Sequence, residues 1–208
     1  MISHHQPSAR GHRASRRERG AVLVELAFAA MFLALLAGGA YDFGMGWRQS
    51  LVVTEAARTG ARVGSSQGDL VGADFALLSG VKSALASSGA LASVNRVVIY
   101  KSATVDGDVP ANCRTTTSSS ISEDCNILTG DQLRALPASN TTGTLTATGC
   151  IASSQTKEWC PTTRNNVQLT AEYIGVWVQV TYTYKFKFIG STRTIERDAV
   201  MRLEPTEG

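Results

Sequence analysis

Between Arg19 and Arg48 the chain carries no basic residue, and Glu25 and Asp42 are the only acids there. Residues 21–41 read Ala-Val-Leu-Val-Glu-Leu-Ala-Phe-Ala-Ala-Met-Phe-Leu-Ala-Leu-Leu-Ala-Gly-Gly-Ala-Tyr. About 20 mainly apolar residues, each rising about 1.5 Å, are what a helix needs to cross a bilayer. The overall hydrophobic content of 43% therefore averages over an apolar block and a more polar body. That excludes a plain cytosolic globule.

The charges give the block a direction. Residues 1–20 hold Arg10, Arg13, Arg16, Arg17 and Arg19 against Glu18 alone, a balance of +4 within a total of +3, so the rest of the chain is −1. Positive residues stay inside, which places the N-terminus in the cytoplasm and the body outside, with Tyr41, Phe43 and Trp47 as outer interfacial aromatics. A body of net −1 offers no basic surface for nucleic acid. His4, His5 and His12 all lie in the tail, so the body has no imidazole for a triad, a Cys-His dyad or a His-containing metal site. The expected organisation is a basic cytoplasmic leader at 1–20, a transmembrane helix at 21–47 and an extracytoplasmic domain at 48–208.

A cleaved secretory signal is the competing reading, with Gly38-Gly39-Ala40 as its small-residue site and a mature start at Tyr41. Two features favour a retained anchor: the run is longer than an ordinary signal core, and it contains Glu25. A carboxylate at mid-membrane costs about 2.5–3.5 kcal/mol on insertion scales, so it calls for a partner or a purpose. A shallow position near the inner headgroups and the positive end of the helix is the simpler account of it. Ala30, Ala34 and Gly38 form a small-residue stripe suited to helix contacts, although general alanine richness explains it equally well.

The helix is expected to continue outside the membrane. Residues 47–63 lack proline, and Val52, Ala56, Thr59, Gly60 and Val63 share a face, with Arg48, Glu55, Arg58 and Arg62 elsewhere. Gly64-Ser65-Ser66-Gln67-Gly68 reads as the stop, giving a helix over 21–63 of about 64 Å.

Beyond it, Phe75, Leu77, Leu78, Val81 and Leu85 predict a helix over 73–87, and residues 94–100 predict a strand. In 174–188, Ile174, Val176, Val178, Val180, Tyr182, Tyr184, Phe186 and Phe188 alternate with Gly175, Trp177, Gln179, Thr181, Thr183, Lys185 and Lys187, which predicts a long strand. That alternation favours core packing over base stacking for the aromatics. Gly190-Ser191 gives a turn, and 192–203 returns with Ile195, Ala199, Met201 and Leu203 on one face. The expected fold class is α+β: a long N-terminal helix and a second helix packed on the apolar face of a small antiparallel sheet.

Residues 102–168 read as an irregular insertion containing Cys113, Cys125, Cys150 and Cys160. No C-x-x-C spacing occurs, which disfavours a zinc ribbon or a thioredoxin-like site. Outside the cytoplasm four cysteines imply two disulfides. Three connectivities are open; the local pairs Cys113–Cys125 and Cys150–Cys160 are the expectation, each contributing on the order of 2–3 kcal/mol. Ser/Thr density over 115–122 and 139–148 marks exposed loops, and Asn140-Thr141-Thr142 matches a glycosylation acceptor. Gly44-Met45-Gly46 lacks the Lys-Ser/Thr ending of a phosphate loop, and Glu123, Asp124 and Asp131 lack calcium-loop spacing.

Arginines followed by Gly20, then Ala21-Val22-Leu23-Val24-Glu25, resemble the processing site of type IV pilin-like precursors. With Asp42-Phe43-Gly44, Ala56-Ala57-Arg58-Thr59-Gly60-Ala61-Arg62 and the ending Val200-Met201-Arg202-Leu203-Glu204-Pro205, they resemble TadE-like proteins, minor pilins or pseudopilins of the tight adherence (Flp) pilus. The strong part of the resemblance covers roughly residues 19–64, and nothing comparable occurs from Ser65 to about Leu169.

It implies a structural, non-enzymatic subunit of a single-pass cytoplasmic-membrane protein, cleaved after Gly20 by a prepilin peptidase. Its partners would be other pilin or pseudopilin subunits, the pilus assembly platform, that peptidase and the cytoplasmic membrane, with no nucleic acid and no cofactor. The ammonium of Ala21 in one processed subunit would neutralise Glu25 of a neighbour, so that assembly relieves the cost of burying the carboxylate. The alternative is a membrane-anchored or secreted binding module that uses the disulfide-tied loops. An extracytoplasmic enzyme is the third class, and the sequence offers it no nucleophile–base pair, metal ligand set or cofactor motif.

Overall fold

The computed structural model describes residues 16–187 and 190–205. Residues 1–15 of the basic leader, with Arg10, Arg13 and the three histidines, lie outside them, as does Phe188 of the expected strand. The chain divides into two units, one ending at Tyr41 and one beginning at Asp42.

In the first unit everything described is α-helix. Helix α1 (Arg16–Gln67) starts there and carries on into the second unit without a break. Residues 20–37 are exposed throughout, among them Val22, Leu23, Phe28, Phe32, Leu33 and Leu36.

The second unit follows from α1 inward. Val53, Ala56, Ala57 and Ala61 of α1 are fully buried against Leu77, Leu78, Val81 and Leu85 of α2 (Ala73–Ser87). This buried face is rotated from the expected one, since Val52, Thr59 and Val63 are only partly covered. The glycines explain the rotation. A Cβ on Gly60 would meet Val81 Cγ2 at 2.6 Å, and one on Gly64 would meet Leu77 Cδ1 at 2.6 Å and Ile174 Cδ1 at 2.7 Å. Gly64 therefore serves close packing and does not stop the helix, which runs on to Gln67. The end comes at Gly68, with φ 54°, where its N–H donates to the Gly64 carbonyl at 3.1 Å.

Five strands form one antiparallel sheet in the order β3-β2-β1-β4-β5: β1 (Val94–Ser102), β2 (Cys125–Thr129), β3 (Thr156–Lys157), β4 (Tyr173–Thr183) and β5 (Thr192–Arg202). In the central pair Val97 lies opposite Val178 and Ile99 opposite Val176. Val97, Ile99, Leu128, Val176, Val178, Val180 and Ile195 belong to the core shared with α1 and α2. The fold is α+β.

Beyond α1, the structure differs from the sequence expectation in two further places. Residues 102–168 are not an irregular loop. They supply β2, β3, a short helix α3 (Ala111–Thr115) and α4 (Gly130–Ala135), the last opened by a Thr129–Gln132 capping box. They also cover the second face of the sheet, where Val98, Tyr100, Ile127 and Trp177 pack with Val109, Cys113 and Cys125. Trp177, expected among polar neighbours, is thus core. The second difference lies at the end of β4. The strand stops at Thr183 rather than near residue 188, because the backbone beyond Tyr184 turns to hydrogen-bond with Asp42.

Candidate functional site

Gly20, Ala21 and Glu25 all lie on α1, and all three are exposed. Ala21 and Glu25 are four residues apart and so share a helix face. Among the described residues α1 alone is long and apolar enough to cross a membrane. No group of three or more His, Cys, Asp or Glu that could hold a metal occurs among those residues.

Where α1 enters the second unit, Asp42 is fully buried. Its carboxylate accepts the backbone N–H of Lys185 at 3.1 Å and that of Phe186 at 3.2 Å. A carboxylate that accepts amide protons replaces some of the hydration it loses on burial. Four residues on, the Tyr184 ring packs over Gly46, where a Cβ would stand 3.6 Å from Tyr184 Cε1. Tyr184 in turn meets the Tyr182 ring edge-on at 5.2 Å between centroids. The turn between β4 and β5 is thereby fastened to α1.

The other end of the helix is fastened as well. The N–H of Glu204 donates to the Ser65 carbonyl at 3.0 Å, and the Ser65 hydroxyl donates to the carbonyl of Arg202. Residues 200–205 thus dock where α1 ends.

The cysteines form two bonds, Cys113 to Cys125 and Cys150 to Cys160, with none left free. The first joins α3 to β2 beneath the second face of the sheet. The second closes the loop that leads to a buried polar knot. There Arg164 pairs with Asp74 of α2 and stacks 4.5 Å from the centroid of the Trp159 ring. Asn126 of β2 donates to the other oxygen of Asp74 at 2.9 Å and to the Trp159 carbonyl at 2.7 Å, and accepts the Trp159 N–H at 3.0 Å. Burial pushes the Asp74 carboxyl up, against the pull of Arg164 and Asn126. Arg164 Nε and Nη1 have no protein partner, and the guanidinium is enclosed by indole and carboxylate. This knot ties the disulfide-linked segment to α2, which is a structural task.

The acidic residues of the loops are engaged with their neighbours. Glu123 accepts from the Asn112 amide, Asp124 lies 3.7 Å from Lys101 Nζ, and Asp131 pairs with Arg134 at 2.7 Å. Sequence reasoning missed the roles of Asp42 and of the Asp74–Arg164 pair. Asp42 had a local signal, as the first charge after a long uncharged run. Asp74 and Arg164 stand 90 residues apart and had none.

No curated protein and no solved structure matches the chain. Residues 20–62 match the model of the TadE-like protein family. The matched segment starts at Gly20 and takes in Glu25, Asp42 and Gly60, and over that segment the chain is similar to the TadE-like proteins.

Proposed function

We propose that this chain is a membrane-anchored minor pilin or pseudopilin that takes part in assembling a tight adherence (Flp-type) pilus. The N-terminus lies in the cytoplasm, residues 21–47 cross the cytoplasmic membrane once, and the body stands outside with both disulfides. The observation that carries this reading is the coincidence of the family match with the exposed apolar stretch of α1, in which Glu25 is the one carboxylate between Gly20 and Asp42. An exposed apolar helix needs lipid or other helices around it, and a carboxylate within it needs a positive partner. A prepilin peptidase that cuts after Gly20 supplies one, since the new ammonium of Ala21 in one subunit can pair with Glu25 of the next. Assembly then removes the burial cost that an unassembled subunit carries. The body acts as a rigid contact surface and performs no catalysis.

N-terminal sequencing of the membrane-fraction protein from its native host, with and without the prepilin peptidase, tests the processing step. A start at Ala21 that depends on the peptidase is the expected result. An intact Met1 start removes the processing step, and a start at Tyr41 in the secreted fraction removes the anchor.

A further inference from the structure

The turn between β4 and β5 is built for a surface that the rest of the second unit does not provide. Its residues 184–191 read Tyr-Lys-Phe-Lys-Phe-Ile-Gly-Ser, with two lysines and no acid. Lys185, Phe186 and Lys187 are exposed, and Phe186 keeps 54% of its surface open. Lys187 holds a left-handed backbone at φ 59°, a conformation that costs a long side chain energy unless the surrounding structure imposes it. The two residues before it are held from α1. The Asp42 carboxylate takes the N–H groups of Lys185 and Phe186, and Tyr184 lies over Gly46.

Asp42 is the residue after Tyr41, the last of the apolar run. The hydrocarbon of a bilayer that takes up residues 21–41 therefore ends beside Asp42, and residues 42–47 of the span lie at headgroup depth with the two amides that Asp42 holds. Along the next turn and a half α1 exposes Phe43 and Trp47, each open over 62% of its surface. Aromatic rings and long cationic side chains at one level are what an interface between hydrocarbon and headgroups accommodates. The two lysines select for anionic headgroups.

We infer that the β4–β5 turn is a second membrane contact, with Phe186 set at headgroup depth and Lys185 and Lys187 on anionic lipid. Asp42 would be the pin of that contact. This inference rests on the membrane-anchored reading of α1.

The test uses the full chain in vesicles of phosphatidylcholine with a minority of phosphatidylglycerol. A single added cysteine carries an environment-sensitive fluorophore: Ser191→Cys beside the turn, Leu33→Cys in the apolar run, or Leu169→Cys, a site 90% exposed. Spin-labelled lipids quench from headgroup depth for the first and last sites and from the acyl chains for residue 33. Quenching at 191 and 33 but not at 169 is expected. Replacing Lys185 and Lys187 by Gln, with Phe186 by Ser, then weakens turn occupancy by roughly fivefold for each lysine lost. Quenching at 33 with residue 191 as dark to lipid as 169 overturns the turn contact alone. No quenching at 33 overturns the anchor and the contact together. Quenching at 191 that ignores both the triple substitution and the removal of phosphatidylglycerol overturns the assignment to these side chains.

Discussion

The apolar segment ahead of Asp42 and the folded body behind it obey different physics. In the first, residues 20–37 are exposed along one helix, and their stability as a unit must come from surroundings outside the chain. In the second, a sheet is covered on both faces, and the glycines, disulfides and polar knot all serve internal closure. The family match divides almost evenly at the unit boundary, all of it on α1; the body beyond residue 62 carries none. A helix that must meet a membrane and its fellows is restricted residue by residue along its length. A body that only has to be rigid can reach rigidity through many sequences. Changes that separate these two demands can therefore break the comparison or sharpen it.

The largest separation is expected from Arg164→Ala. It leaves the Asp74 carboxylate buried without its cation and removes the stacking on Trp159, at a cost of about 3–5 kcal/mol. Denaturant unfolding of the body should register that loss while the membrane-fraction yield of the apolar segment stays unchanged. If yield falls and body stability does not, the two units are not separable in this way. Asp42→Ala is expected to come next, at about 2 kcal/mol, since two backbone N–H groups lose a charged acceptor. Limited proteolysis should then open the chain first between residues 184 and 191.

The smallest effect concerns pH. The hydrogen bond from Lys101 to Glu172, 2.7 Å long, raises the lysine above its ordinary value of 10.5, opposed by partial burial and helped by Asp124. A raised lysine contributes stability that is fully present below 10.5 and lost as pH rises through the folded value. Thermal unfolding of Lys101→Met should therefore converge with that of the parent chain at strongly alkaline pH and fall slightly below it at neutral pH. Parallel curves across the range would show that the pair contributes nothing.

What was legible in the sequence follows the same division. The long helix and α2 could be read because their periodicity is local, and α2 occupies the residues that Phe75, Leu77, Leu78, Val81 and Leu85 mark out. The hairpin of β4 and β5 was legible from its alternation up to Thr183. Strand β2 was not, because Cys125-Asn126-Ile127-Leu128 is buried on both faces and shows no alternation. Trp177 was read onto the polar side for a related reason: the layer that covers it comes from residues 109–127, far away in sequence. The stop segment 64–68 does hold the end of α1, at Gly68, but the helix was read as ending at 63 because Gly64's use in close packing depends on its neighbours, here Leu77 and Ile174. At the candidate site, Gly20, Ala21 and Glu25 were named from the resemblance; the structure places them exposed on α1, and their roles are proposed. The hold of Asp42 on the β4–β5 turn depends on a contact across more than 140 positions, which no local pattern announces.

The account turns on Glu25 being an assembly residue rather than a tolerated carboxylate in an anchor. Glu25→Leu makes α1 more apolar, so membrane retention should be kept or improved. The direct measurement is pilus assembly in the native host by Glu25→Leu, normalised to the protein retained in membranes. The account predicts full retention with assembly lost. Assembly at the parent level from the leucine variant would contradict it and leave α1 as an anchor only.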